Sequence, residues 1–145
     1  MVDDKKTEYL VAVGLDGSDS SWKALEEAVQ QTRQKGGKLH VVSIQESAEA
    51  SYSASEVLAT EQTSREKLER AQIKARMLAE SNAVSAITAI VVGSSAGAMV
   101  DYVKKHHVDL LVVGDTGHSS IWGALLGTTA EKIVRSAPCS VLIVR

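Results

Sequence analysis

The stretch GDTGHSSIWGALLGTT, Gly114 to Thr129, follows the apolar run VDLLVVG and carries, among its four glycines, those at 114, 117 and 127, closed by a threonine pair. Glycine costs backbone entropy, so each placement needs a local reason. Gly114 lets the chain leave a strand with no Cβ in the way. Gly117 permits positive φ and lets a ligand touch the main chain. Gly127 stands just before a helix, TTAEKIVRS, whose first amides have no intrahelical partner. Those N–H groups and the positive end of the helix dipole attract an anion, and Thr128 adds a hydroxyl at the same point. A phosphate chain has the matching size, with Ser119 and Ser120 as further donors.

Other chemistries fit these residues less well. Asp115, His118 and Ser119 hold the residue types of a hydrolytic triad. A triad needs spatially dispersed residues and a buried orienting acid, whereas these three stand within five positions of one another. Neither GxxxxGK[ST] nor GxGxxG is present, so P-loop and dinucleotide-fingerprint mechanics have no support. Plain structural roles compete at each position. Gly114 and Gly117 suit a tight turn after a strand. Thr128 with Glu131 reads as a capping box. Asp16 suits a turn or helix cap. Trp22 and Trp122 read as packing residues, and Cys139 as a small hydrophobe.

The elements that must position this loop follow from apolar patterning. Strands are expected at Tyr9–Leu15, Leu39–Ile44, Ser85–Val92, Val108–Val113 and Ser140–Val144. Between the first two, Trp22, Leu25, Ala28, Val29 and Thr32 recur at helical spacing, with Asp19 or Ser20 as cap and Gly36-Gly37 as stop. A long helix is expected from about Ser55 to Ser81, with a stripe of Leu68, Ala71, Ala75 and Leu78. Gly93 to Gly97 reads as a turn before a short helix marked by Met99, Val100 and Val103, which His106-His107 closes. Residues 1–7 read as disordered and 46–55 as a mobile loop. The alternation of strand and helix implies one α/β domain over 1–145, with a parallel sheet and right-handed crossovers. Ligands of such sheets sit beyond the carboxyl ends of strands where the order reverses. The loop GLDGSDSS after the first strand and the glycine loop after the fourth face one crevice if those strands are neighbours.

Composition bounds the rest. The chain has 145 residues, 44% hydrophobic and only 3% aromatic with no Phe, so its core is built from Val, Leu, Ile and Ala. That suits a sheet covered on both faces. Sixteen basic and 18 acidic residues give a net charge of −2. No polybasic block appears, and nucleic acid is not an expected partner. No apolar run approaches the roughly 18 residues of a membrane span, and MVDDKKTE lacks the apolar core of a signal peptide. A cytoplasmic location is expected. With one cysteine, no intrachain disulfide can form.

Gly114, Gly117, Gly127 and Thr128 meet the spacing G-x2-G-x9-G-[ST]. In this the sequence resembles the universal stress protein (UspA-like) family, ATP-binding-motif type. The likeness extends to VAVGLDGSDSSWKALEEA at one end, and to VDLLVVGDTG and LLGTTAEKIVRSAPCSVLIVR at the other. The resemblance implies an open five-stranded parallel sheet of order 3-2-1-4-5 with helices on both faces, Rossmann-like in the manner of the adenine nucleotide α hydrolases. It implies nucleotide contacts at Leu15 and Asp16, with Asp16 on the adenosine part, and at Val42, whose backbone reads adenine. Gly114, Gly117, His118, Gly127, Thr128 and Thr129 form the implied phosphate cradle. His118 is the sole basic residue between the second and third glycines. Triphosphate charge would then rest on amides, hydroxyls and Mg²⁺, and AMP, ADP or cyclic AMP compete with ATP as ligand. The last strand, an open edge, implies a homodimer paired through Val141, Leu142, Ile143 and Val144. The expected function is a nucleotide-dependent regulatory module of the stress response, acting on an unknown protein partner. The alternatives are a slow ATPase or autophosphorylating enzyme, and a nucleotide-free interaction dimer.

Overall fold

A computed structural model describes residues 8–46, 53–116 and 126–145. Five strands, β1 (Leu10–Gly14), β2 (Lys38–Gln45), β3 (Ala86–Val92), β4 (Leu110–Gly114) and β5 (Ser140–Val144), alternate with four helices. The helices are α1 (Asp19–Lys35), α2 (Ala54–Ser81), α3 (Ser95–His106) and α4 (Thr128–Ser136). Every pairing is parallel and the sheet order is β3-β2-β1-β4-β5, the expected 3-2-1-4-5. β1 and β4 are therefore neighbours.

Alternate strand residues feed opposite faces. Val11, Val13, Leu39, Val41 and Val112 pack with Ala24, Leu25 and Ala28 of α1 and with Ala71, Ala75 and Ala79 of α2. Ala12, Val42, Leu111 and Val113 pack with Met99 and Val103 of α3 and with Ile133 of α4. Small alanines on α1 and α2 let both helices lie close to the β-branched strand surface. Polar side chains are buried here too, Thr32, Ser43 and Gln72 among them. The amide of Gln72, on α2, donates to the carbonyls of Val41 (3.4 Å) and Ala89 (2.5 Å) and to Ser43 Oγ (3.3 Å).

Several boundaries depart from expectation. Ser18, not Asp19 or Ser20, caps α1, accepting from the Ser21 amide at 3.3 Å. Gly36 ends α1 at φ 61°, a left-handed conformation suited to glycine. α2 begins at Ala54 through a capping box between Ser53 and Glu56, so the loop expected over 46–55 is shorter at its far end. Residues 47–52, like 1–7, lie outside the described residues. α3 starts at Ser95 and takes in Gly97, so the expected turn ends at Ser94. No capping box forms on α4. Gly127 is its N-cap and Thr128 its first helical residue, which puts Glu131 four positions from the cap instead of three.

Candidate functional site

The sheet order reverses between β1 and β4: α1 carries the chain from β1 toward β2, while α4 carries it from β4 toward β5. Their carboxyl ends open into a crevice of about 270 Å³, close to the lower end of small-molecule sites at roughly 300 Å³. Of the site residues expected from sequence, Leu15, Asp16, Val42, Gly114, Gly127, Thr128 and Thr129 all line it. Gly117 and His118 lie outside the described residues, as do Ser119, Ser120 and Trp122.

The β1 side is built by short-range chemistry. The Leu15 amide donates to the Val42 carbonyl at 2.9 Å, which extends the β1–β2 pairing past the end of β1. Ser43 Oγ donates to the Leu15 carbonyl at 2.7 Å. Leu15 is fixed from both of its backbone groups and is 1% exposed. The next residue, Asp16, turns outward. Its Oδ1 accepts from the amide (2.8 Å) and hydroxyl (2.5 Å) of Ser18, the Asx-type turn that aspartate favours.

The β4 side is held by its neighbours. The Asp115 amide donates to the Val144 carbonyl at 2.9 Å. The Gly127 amide returns to the Asp115 carbonyl at 2.7 Å. The two ends of the glycine loop thus meet at one peptide. A Cβ on Gly127 would sit 3.0 Å from that same carbonyl oxygen. Gly127 is needed so that the chain can cross its own backbone. The expectation had read Gly127 only as the residue before a helix whose free amides attract an anion.

Three helices begin at the crevice, and their first amides are treated differently. α1 is capped by its own Ser18. Ser94 provides no side-chain cap for α3. Instead Glu46, just past β2, accepts from the amide (3.3 Å) and hydroxyl (2.5 Å) of Ser95. α4 has Gly127 at its cap position, and among the described residues no side chain caps it. Its N-terminus carries about half a positive charge at the wall formed by Gly127, Thr128 and Thr129. The floor is apolar, from Met99, Val113 and Ile133. An apolar floor with polar backbone at one end suits a flat heteroaromatic ring carrying an anion.

Ile44, Glu46, Ser95, Met99, Ala130 and Ile133 line the crevice with no sequence expectation there, and Ser20 had none beyond its place in the loop after the first strand. Ser20 Oγ donates to the Thr116 carbonyl and ties α1 to the glycine loop. Nothing local distinguishes Ser20 from the serines beside it. Glu46 fell in the segment read as a loop.

Residues 10–145 match the model of the universal stress protein family. A universal stress protein of Mycobacterium tuberculosis is 33% identical over 141 residues, covering 92% of this chain and 94% of that protein. Among solved structures, a universal stress protein UspA from Lactobacillus plantarum superposes with TM-score 0.87 at 24% identity, over 95% of this chain and 98% of that one. A universal stress protein in complex with cAMP gives TM-score 0.75 at 30% identity, over 95% and 97%. One from Archaeoglobus fulgidus in complex with dAMP gives 0.69 at 14% identity, over 94% and 98%.

Proposed function

The chain belongs to the universal stress protein family, and from that premise we propose that it is an adenine-nucleotide-binding regulatory module. The observation that carries the reading is the N-terminus of α4, which no side chain among the described residues caps, set against Gly127 at the rim of a crevice with an apolar floor. In this reading the purine lies toward Leu15 and the Val42 backbone. Asp16 takes the ribose hydroxyls. Gly114, Gly127, Thr128 and Thr129 receive phosphate, with Gly117 and His118 from the rest of the loop. The cAMP-bound relative, at 30% identity, supports an adenine nucleotide as the ligand class. ATP belongs to the proposed range, with Mg²⁺ on its phosphates. Occupancy would alter the surface offered to a protein partner.

We also propose a homodimer. β5 lies at an edge of the sheet, among the described residues paired with no strand but β4, and Val141 to Val144 are half-buried in the single chain. An open apolar edge favours pairing with another strand, here antiparallel pairing with β5 of a second copy.

The nucleotide reading is tested by denaturing the purified protein and identifying released small molecules by mass spectrometry, followed by calorimetric titration with ATP, ADP, AMP and cyclic AMP. It predicts one adenine nucleotide per chain, saturable on titration. Absence of binding for all four contradicts it. Dimerisation is tested by light scattering, which should return twice the chain mass of 15.4 kDa.

A further inference from the structure

We propose that the crevice selects its nucleotide by phosphate charge and takes an adenine nucleotide with a single phosphate, the cyclic phosphodiester best of all, over the free triphosphate. This rests on the nucleotide reading above and concerns which member of the class the site holds.

The argument is a charge census. Three acidic residues, Asp16, Glu46 and Asp115, line the crevice, and among the described residues no Lys, Arg or His does. The flanking sequence supplies little more. Between Lys38 and Arg65 there is no basic residue except His40, on β2, and between Val108 and Glu131 there is none except His118. Lys132 and Arg135 follow on α4, outside the lining, and Arg135 turns back to Glu131 at 3.0 Å.

Fixed positive character therefore comes from helix termini. Three helices start here and two are already answered, α1 by Ser18 and α3 by the Glu46 carboxylate on Ser95. Glu46 occupies the very position on α3 that a second anionic group would use. α4 remains, with about half a unit of positive charge. That offsets about half the charge of a single anionic group. Each further phosphate charge meets three acidic lining residues and, among the described residues of the lining, no cation. A cyclic phosphodiester brings one charge and a monoester about two at neutral pH. A free triphosphate brings more, and binds well only when a divalent cation travels with it.

The test is calorimetry on the intact protein with cyclic AMP, AMP, ADP and ATP, in EDTA and then in excess Mg²⁺, at fixed ionic strength. In EDTA, affinity should fall on the order of three- to ten-fold for each added charge. Mg²⁺ should recover most of the loss for ATP and leave cyclic AMP unchanged. Glu46→Gln keeps an oxygen acceptor for Ser95 and removes the charge, and Asp115→Asn does likewise at the loop. Either should narrow the ratio of cyclic AMP to ATP affinity in EDTA by a few-fold. A flat series, or ATP binding tightest in EDTA, overturns charge selection and leaves the nucleotide reading intact. Binding of all four with ratios unmoved in both variants also overturns it. Failure of every nucleotide to bind removes the underlying reading and this inference with it.

Discussion

Gly114, the last residue of β4, lies directly against Ser20 in the first turn of α1. A Cβ at position 114 would come within 2.9 Å of the Ser20 carbonyl carbon and would overlap the Ser20 hydroxyl, which donates to the Thr116 carbonyl. The first glycine of the loop is thus required by a helix that begins almost a hundred residues earlier. It makes the β4 loop and the start of α1 one packed unit.

Gly114→Ala should therefore destabilise the protein without any ligand present, by about 1–3 kcal/mol, the usual cost of overpacking. Urea unfolding of the apo protein measures it. Adding Ser20→Gly should restore part of the loss, because the two sites are in contact and their effects do not add.

Gly127→Val should likewise lower apo stability, by about 1–3 kcal/mol, since its Cβ would press on the Asp115 carbonyl oxygen at 3.0 Å. A loss of nucleotide uptake in this variant then has two sources. Denaturation of apo and titrated samples separates them. An unchanged apo midpoint would place the whole effect at the ligand.

Gln72→Leu should cost about 1–3 kcal/mol, the range for leaving buried polar groups without their partner. Its amide serves β2 and β3 together, through Val41, Ser43 and Ala89. Ser43 in turn holds Leu15 at the crevice, so backbone amide exchange at Leu15 should quicken in the variant.

His40 predicts a pH dependence far from the crevice. Its Nδ1 lies 2.7 Å from the Tyr102 hydroxyl, and its ring meets that of His106 at 5.6 Å. Burial, then the charges of His106 and Lys38, hold its pKa below the ordinary 6.5. The unfolded chain therefore takes up this proton before the folded one does. Stability is at its full value above pH 6.5 and is lost as pH falls from there through the lowered native value. Urea midpoints should drop between about pH 7.5 and about pH 5.5, and His40→Gln should flatten the fall. A His40 NMR titration midpoint above 6.5 would reverse the sign.

Much of the architecture is legible in the sequence because the strands are Val- and Leu-rich runs separated by helical periodicity. Val11, Val13, Val41 and Val112 are fully buried, as continuous apolar runs imply. The order of the strands came from the resemblance, since periodicity is silent on neighbours. At the site, Gly114, Gly127 and Thr128 came from the motif and Leu15, Asp16, Val42 and Thr129 from the resemblance, and all seven line the crevice. The reasons for the glycines were not legible, because Ser20 and the Asp115 carbonyl reach them only through the fold. The caps were misplaced for a related reason. DGSDSS offers several residues able to cap α1, and only three-dimensional geometry selects Ser18. Glu46 was hidden because its partner Ser95 is 49 residues away.

The central claim, that an adenine nucleotide occupies the crevice between the β1 and β4 ends, is tested most directly by amide NMR on the labelled protein titrated with cyclic AMP. Saturable shifts should concentrate at Leu15, Asp16, Val42, Gly127, Thr128 and Thr129, with the remote His40 and Tyr102 unmoved. Shifts centred elsewhere, or none at saturating nucleotide, would contradict the account.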